Sequence, residues 1–240
     1  MSKDRGKLIV AVDVDTFEEA KGLVDVLSED IGLFKIGSQL FTACGPTIVD
    51  YIYSKGKKIF LDLKYHDIPN TVGNAVRAAV NMGKKPGGIF MCTVHTVGGK
   101  AMLKKAADEA RKASGLLGIE RPLIVGITVL TSEEVGDSIS ALVLERARLA
   151  KESSLDGIVA SSQEAALVRK EMGEDFVIVT PGIRPHGASA GDQKRITTPF
   201  DAIKNGSDFL VVGRPIVKAD DPALAAKRIL EEIEQAKNSI

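Results

Sequence analysis

The chain is poor in cysteine: Cys44 and Cys92 are the only two in 240 residues, with no Cys-x-x-Cys and no metal-ligand spacing. That excludes a disulfide framework and a structural zinc site, and the expectation is two buried thiols. Net charge is missing as well. Lys plus Arg and Asp plus Glu both number 32, so no global field draws the chain to nucleic acid or to an acidic membrane, and any anion must be met by local groups. No apolar stretch reaches the length of a membrane span. The first short apolar run, Leu8 to Val12, meets Asp13 too soon to be a signal peptide, so the expected location is cytoplasmic. Low-complexity tracts and interdomain linkers are absent too, and no Gly-rich dinucleotide loop follows Asp13.

What is there is an ordinary soluble composition, 44% hydrophobic and 27% charged, carrying a regular alternation. Candidate strands run Leu8 to Asp13, Leu33 to Gly37, Ile59 to Lys64, Ile89 to His95, Leu123 to Leu130, Gly157 to Ala160, Phe176 to Thr180 and Asp208 to Val212. Helical patterns fall between them: from a cap at Asp15 or Thr16, then Gln39 to Ser54, Pro69 to Met82, Lys100 to Lys112, Ser140 to Lys151, Gln163 to Glu171 and Phe200 to Asn205, with Pro222 to Lys237 closing the chain. Eight strand–helix units without a composition break argue for a parallel sheet. The length favours a single α/β domain, residues 1–240, closed as a (β/α)8 TIM barrel, over an open doubly wound sheet.

The most informative stretch is Ile59-Phe60-Leu61-Asp62-Leu63-Lys64-Tyr65-His66-Asp67-Ile68-Pro69. An apolar strand ends here in two carboxylates and an ammonium where a structural strand would turn. Strand side chains alternate, so Asp62 and Lys64 are expected on one face, with Asp67 in the loop beyond and Pro69 opening a helix. A lone Asp-x-Lys is usually a solvated ion pair. In this chain Asp13, Lys35 and His95 also stand at strand ends, and a lattice of desolvated charges costs more than stability alone justifies.

A second constellation lies late. Val211-Val212-Gly213-Arg214-Pro215 ends the eighth strand at a helix start, where backbone N–H groups and a guanidinium suit a phosphate. Pro181-Gly182-Ile183-Arg184 and Gln193 would add donors from a Gly-rich polar loop, 182–195, whose length suits a lid. His66 and His186 read as surface residues with no nucleophile beside them, and His95 as a packing or hydrogen-bonding residue. Asp13, Asp62, Asp67 and His95 could together hold Mg²⁺, the minority reading beside one with no metal.

The wording Asp62-Leu63-Lys64-Tyr65-His66-Asp67-Ile68-Pro69-Asn70-Thr71 resembles the signature of the bacterial orotidine 5'-monophosphate decarboxylases. The resemblance runs from Val10-Ala11-Val12-Asp13 through Phe34-Lys35-Ile36-Gly37, Val94-His95-Thr96-Val97-Gly98-Gly99, Leu130-Thr131-Ser132, Pro181 to Pro185 and Gly191 to Arg195, to Val212-Gly213-Arg214-Pro215. It implies decarboxylation of orotidine 5'-monophosphate to UMP, the last step of de novo UMP synthesis, without cofactor or metal. Lys64 matches the proton donor and Asp62 the carboxylate beside it. Lys35 matches the residue ordering the array at the ribose, and Asp13 another ribose ligand. Asp67 and Thr71 match residues donated across a homodimer interface. Thr131 matches a pyrimidine contact, Arg184, Gln193, Gly213 and Arg214 match the phosphate grip, and Pro181 is expected among the substrate-binding residues. No nucleic-acid or membrane partner is implied.

The chain departs from the pattern at Gly83-Lys84-Lys85-Pro86-Gly87-Gly88, longer and more basic than expected before strand four. Two other readings remain open. Related Mg²⁺-dependent 3-keto-gulonate-phosphate decarboxylases and hexulose-phosphate synthases share Asp-x-Lys-x-x-Asp, although Ile68 to Thr71 favours the orotidine reading. A catalytically silent phosphate-ligand sensor would use the same scaffold, but retention of Lys35 and Lys64 argues against it.

Overall fold

A computed structural model describes residues 6–82, 88–130, 139–185 and 196–239. Eight parallel strands close on themselves in sequential order, β1 pairing with both β2 and β8. The strands are β1 Leu8–Ala11, β2 Leu33–Gly37, β3 Lys58–Tyr65, β4 Ile89–His95, β5 Leu123–Ile127, β6 Gly157–Val159, β7 Val177–Thr180 and β8 Phe209–Val212. The expected (β/α)8 barrel is the observed fold. Each strand is nearly continuously apolar because it is covered twice, by helices outside and by the barrel filling within. Ile9, Leu33, Phe60, Met91, Val125 and Val179 form that filling, a packed plug below the carboxyl-end face.

The helices are α1 Phe17–Leu27, α2 Ser38–Cys44, α3 Thr47–Ser54, α4 Pro69–Met82, α5 Gly99–Leu117, α6 Ile139–Glu152, α7 Ser162–Met172, α8 Pro199–Lys204, α9 Arg214–Val217 and α10 Pro222–Lys237. Thr16 caps α1 in a reciprocal box with Glu19, as the sequence suggests. The single segment expected from Gln39 to Ser54 is two helices instead. Gly45 takes φ 58° and its N–H caps Phe41 O, and Pro46 then restarts the chain, so apolar periodicity ran across a real break. β5 is shorter than expected: past Ile127 the chain leaves the ladder, Thr128 donating from both backbone and hydroxyl to Val159 O. The Lys84–Gly88 connection, apart from Gly88, lies outside the described residues.

The amino ends of β5 to β8 are tied by a motif used twice. Asp156 accepts Ile124 N at 2.7 Å and is gripped by Arg121, and Asp208 accepts Ile178 N at 2.8 Å and is gripped by Arg169. Each aspartate ties the start of its own strand to the strand before it in sequence. These ties secure the face away from the charged strand ends, which leaves the carboxyl-end face free for chemistry.

Candidate active site

The side chains singled out at the carboxyl ends of the first three strands do converge. Lys35, inward on β2, donates to Asp13 Oδ1 at 2.9 Å and lies 3.7 Å from Asp62 Oδ2. Lys64 donates to the same Asp62 oxygen at 2.7 Å. The order is therefore Asp13, Lys35, Asp62, Lys64, with charges alternating. Lys35 and Asp62 are buried, 8% and 7% exposed, while the side chains of Asp13 and Lys64 keep 46% and 38% of their surface. Burying the central pair costs desolvation free energy that its attraction hardly repays, so such a pair is poor value for stability. A Cβ at Gly37 would stand 3.0 Å from the Lys35 ammonium and 3.2 Å from Asp13 Oδ1, so the small residue leaves the pair its room.

Strand alternation alone does not put Lys64 beside Asp62. Leu61 pairs with Cys92 and Tyr65 with Val94, so residues 62–64 of β3 lie opposite the single residue Thr93. The extra length is absorbed in a bulge, and Lys64 sits in the left-handed region at φ 51°. A non-glycine residue held there costs on the order of 1 kcal/mol, which the surroundings must offset.

The array lines one wall of a cavity of about 680 Å³. Pro181, Gly182, Arg184, Gly213 and Arg214 line it from the ends of β7 and β8. Gly182 turns the chain at φ 78°, and Arg184 is then buried to 8% exposure, its backbone N–H donating to Thr197 O at 2.8 Å and its guanidinium to Ile183 O at 2.9 Å. Arg214 opens α9 directly after Gly213, as expected. Two guanidiniums thus share with carboxylates and ammoniums a space of nucleotide size.

Other expected site residues fall differently. Asp67 and Thr71 are exposed and do not line the cavity; Asp67 Oδ1 accepts Ile68 N at 2.6 Å. The expectation that two acids and a base of one chain converge therefore holds for Asp62 and Lys64, not for Asp67. Thr131, Gln193, His186 and most of the expected lid loop lie outside the described residues. His95 stacks obliquely on His66, ring centres 5.8 Å apart, and neither lines the cavity. Asp13, Asp62, Asp67 and His95 form no metal-ligating group among the described residues, and the Lys35 ammonium occupies the space between the first two. Sequence reasoning missed Thr93 and the rim pair Gln39 and Asp15, joined at 2.6 Å. A threonine inside the apolar run Phe-Met-Cys-Thr-Val-His was the one available hint.

Polar strand ends gathered over a closed parallel barrel, above a packed apolar plug, place this protein in the class of (β/α)8-barrel enzymes. Comparison narrows the class: residues 6–229 match the model of the orotidine 5'-phosphate decarboxylase / HUMPS family, and the chain belongs to that family. It is 46% identical to the orotidine 5'-phosphate decarboxylase of Geotalea daltonii over 243 residues, 97% of this chain and 99% of that protein. The one from Syntrophotalea carbinolica is 47% identical, with 97% and 96% covered. The crystal structure of orotidine 5'-phosphate decarboxylase from Lactobacillus acidophilus superimposes with a TM-score of 0.79 at 35% identity, covering 95% of this chain and 99% of that one.

Proposed function

We propose that this enzyme decarboxylates orotidine 5'-monophosphate to UMP, with Lys64 as proton donor. The observation that carries the reading is the Lys64 ammonium held 2.7 Å from Asp62 in a cavity that Arg184 and Arg214 also line. The arginines and Gly213 take the phosphate, with Pro181 shaping the turn beside it, and Asp13 and Lys35 meet the ribose. Gln193 completes the phosphate grip and Thr131 the pyrimidine contact.

The chemical difficulty is that loss of CO₂ leaves an electron pair on an sp² carbon with nothing to delocalise it. The bond from C6 to the carboxylate breaks, CO₂ leaves neutral, and both bonding electrons stay on C6. Lys64 stabilises that charge and gives C6 its proton, then recovers one from water. Two carboxylates and two ammoniums already balance in the array, so the substrate carboxylate brings an unmatched charge beside Asp62. Departure as CO₂ relieves it. Binding free energy from the remote phosphate holds the reacting carbon in this field.

Asp67 and Thr71 complete the site of a partner subunit in a two-fold homodimer. Their exposure on the chain's own surface supports this, as does Ile68, an apolar side chain 66% exposed between them. The enzyme works in the cytoplasm, and no helix among the described residues is long and apolar enough to cross a membrane.

The test is direct. Purified protein mixed with orotidine 5'-monophosphate should produce UMP and CO₂ in equal amounts, with EDTA without effect. Mg²⁺-dependent turnover of 3-keto-gulonate 6-phosphate instead would establish the sister activity. Tight UMP binding without turnover of either substrate would establish a sensor.

A further inference from the structure

The bulge in β3 leaves the Lys64 backbone N–H without a ladder partner, and a buried side chain takes it: Lys64 N donates to Thr93 Oγ1 at 2.8 Å. A hydroxyl has one proton to give. With Lys64 N–H occupying its acceptor side, that proton is directed to Asp62 Oδ1, 3.0 Å away. Asp62 Oδ2 receives the Lys64 ammonium. The result is a closed ring on one carboxylate: the Lys64 ammonium bonds Asp62 directly, and the Lys64 backbone N–H reaches it through the Thr93 hydroxyl.

Thr93 is fully buried and does not line the cavity, so it touches neither substrate nor reacting atoms. We propose that Thr93 is a positioning residue: it holds Lys64 in its left-handed bulge and fixes the Asp62 carboxylate, setting where the ammonium points. The inference rests on the reading of Lys64 as proton donor. The physical basis is that a misdirected proton donor lowers the chemical step far more than it lowers ligand binding.

Thr93→Val keeps the volume and removes both hydrogen bonds, and Thr93→Ser restores the hydroxyl. Expected for Thr93→Val is a kcat lowered about 10- to 100-fold with KM for orotidine 5'-monophosphate within about threefold, and for Thr93→Ser a kcat within about threefold of wild type. If Thr93→Val does not fold, Thr93→Cys, a similar volume with a weak hydrogen-bonding group, takes its place with the same expectation. A kcat unchanged in the hydroxyl-free variant, or lost equally in the serine variant, overturns the proposal. A crystal structure of the hydroxyl-free variant separates this inference from the functional reading. Lys64 should leave φ near 50° or its ammonium should part from Asp62, whichever reaction the enzyme performs. Unmoved geometry shows Thr93 to be packing alone, while moved geometry in a protein inert toward orotidine 5'-monophosphate faults the functional reading instead.

Discussion

The Lys64 ammonium donates to Asp62 Oδ2 at 2.7 Å from a position two residues further along the same strand, and it does so because the backbone between them is bulged. The side chain of Lys64 keeps 38% of its surface, whereas that of Asp62 keeps 10%. The carboxylate is thus the buried partner and the ammonium the one open to the cavity.

Lys64→Ala should fold like the parent, because its side chain fills no core space, and should lose turnover. A kcat still within tenfold of wild type, about 1.4 kcal/mol of barrier, would remove Lys64 from the proton-donor role.

Arg214→Ala should cripple turnover of orotidine 5'-monophosphate and hardly alter the already poor turnover of the phosphate-free nucleoside. Steady-state kinetics on both substrates decide the matter, since an equal loss on the two would make Arg214 structural.

Lys64→Ala and Asp67→Asn should each be nearly inactive alone and active when mixed. Random exchange makes about half the dimers mixed, each with one doubly damaged and one intact site, so activity should return to roughly a quarter of wild type. Native mass spectrometry verifies exchange; verified exchange with no recovery would place Asp67 in its own subunit's site.

Gly157→Ala should destabilise without touching the site. A Cβ there would lie 2.1 Å from Val177 O, so β6 and β7 must part, at a cost of about 1–3 kcal/mol. Thermal unfolding should drop by several degrees, and an unchanged Tm would mean that the two strands pair less closely at this point.

Native protein treated with iodoacetamide near pH 8 should carry label on Cys44 and none on Cys92. Burial pushes the Cys92 thiol up to about 12, because the thiolate has no solvent or partner charge in the core, while Cys44 is half-buried. Peptide mass spectrometry reads the result; equal labelling would show that β4 opens in the native state.

Much of the fold was legible because a parallel barrel writes itself in a local period: short doubly covered strands, then amphipathic helices, eight times. Most boundaries fall within two residues of expectation, many on the expected residue, but α5 runs well past the expected Lys112 to Leu117. Gly45-Pro46 marked a break between α2 and α3 that apolar spacing concealed. Of the site, Asp13, Lys35, Asp62 and Lys64 were readable because charges at the ends of apolar strands have no cheap structural explanation.

The amino-acid sequence by itself determined the barrel class, the strand ends that carry charge and the family signature, since each depends on residue type and spacing along the chain. Only the tertiary structure decided how the charges are shared. That Lys35 stands between Asp13 and Asp62 depends on the β1–β2–β3 register, and that Lys64 turns back to Asp62 depends on a bulge that exists only against β4. Thr93 has the same origin: a polar residue in an apolar run is its one local hint, and its hydroxyl acquires a task only when β4 is laid beside an extended stretch of β3. Asp67 and Thr71 are the converse, prominent in the signature yet outside their own chain's cavity: Asp67 lies in the loop after the strand end and Thr71 in the first turn of α4, both exposed.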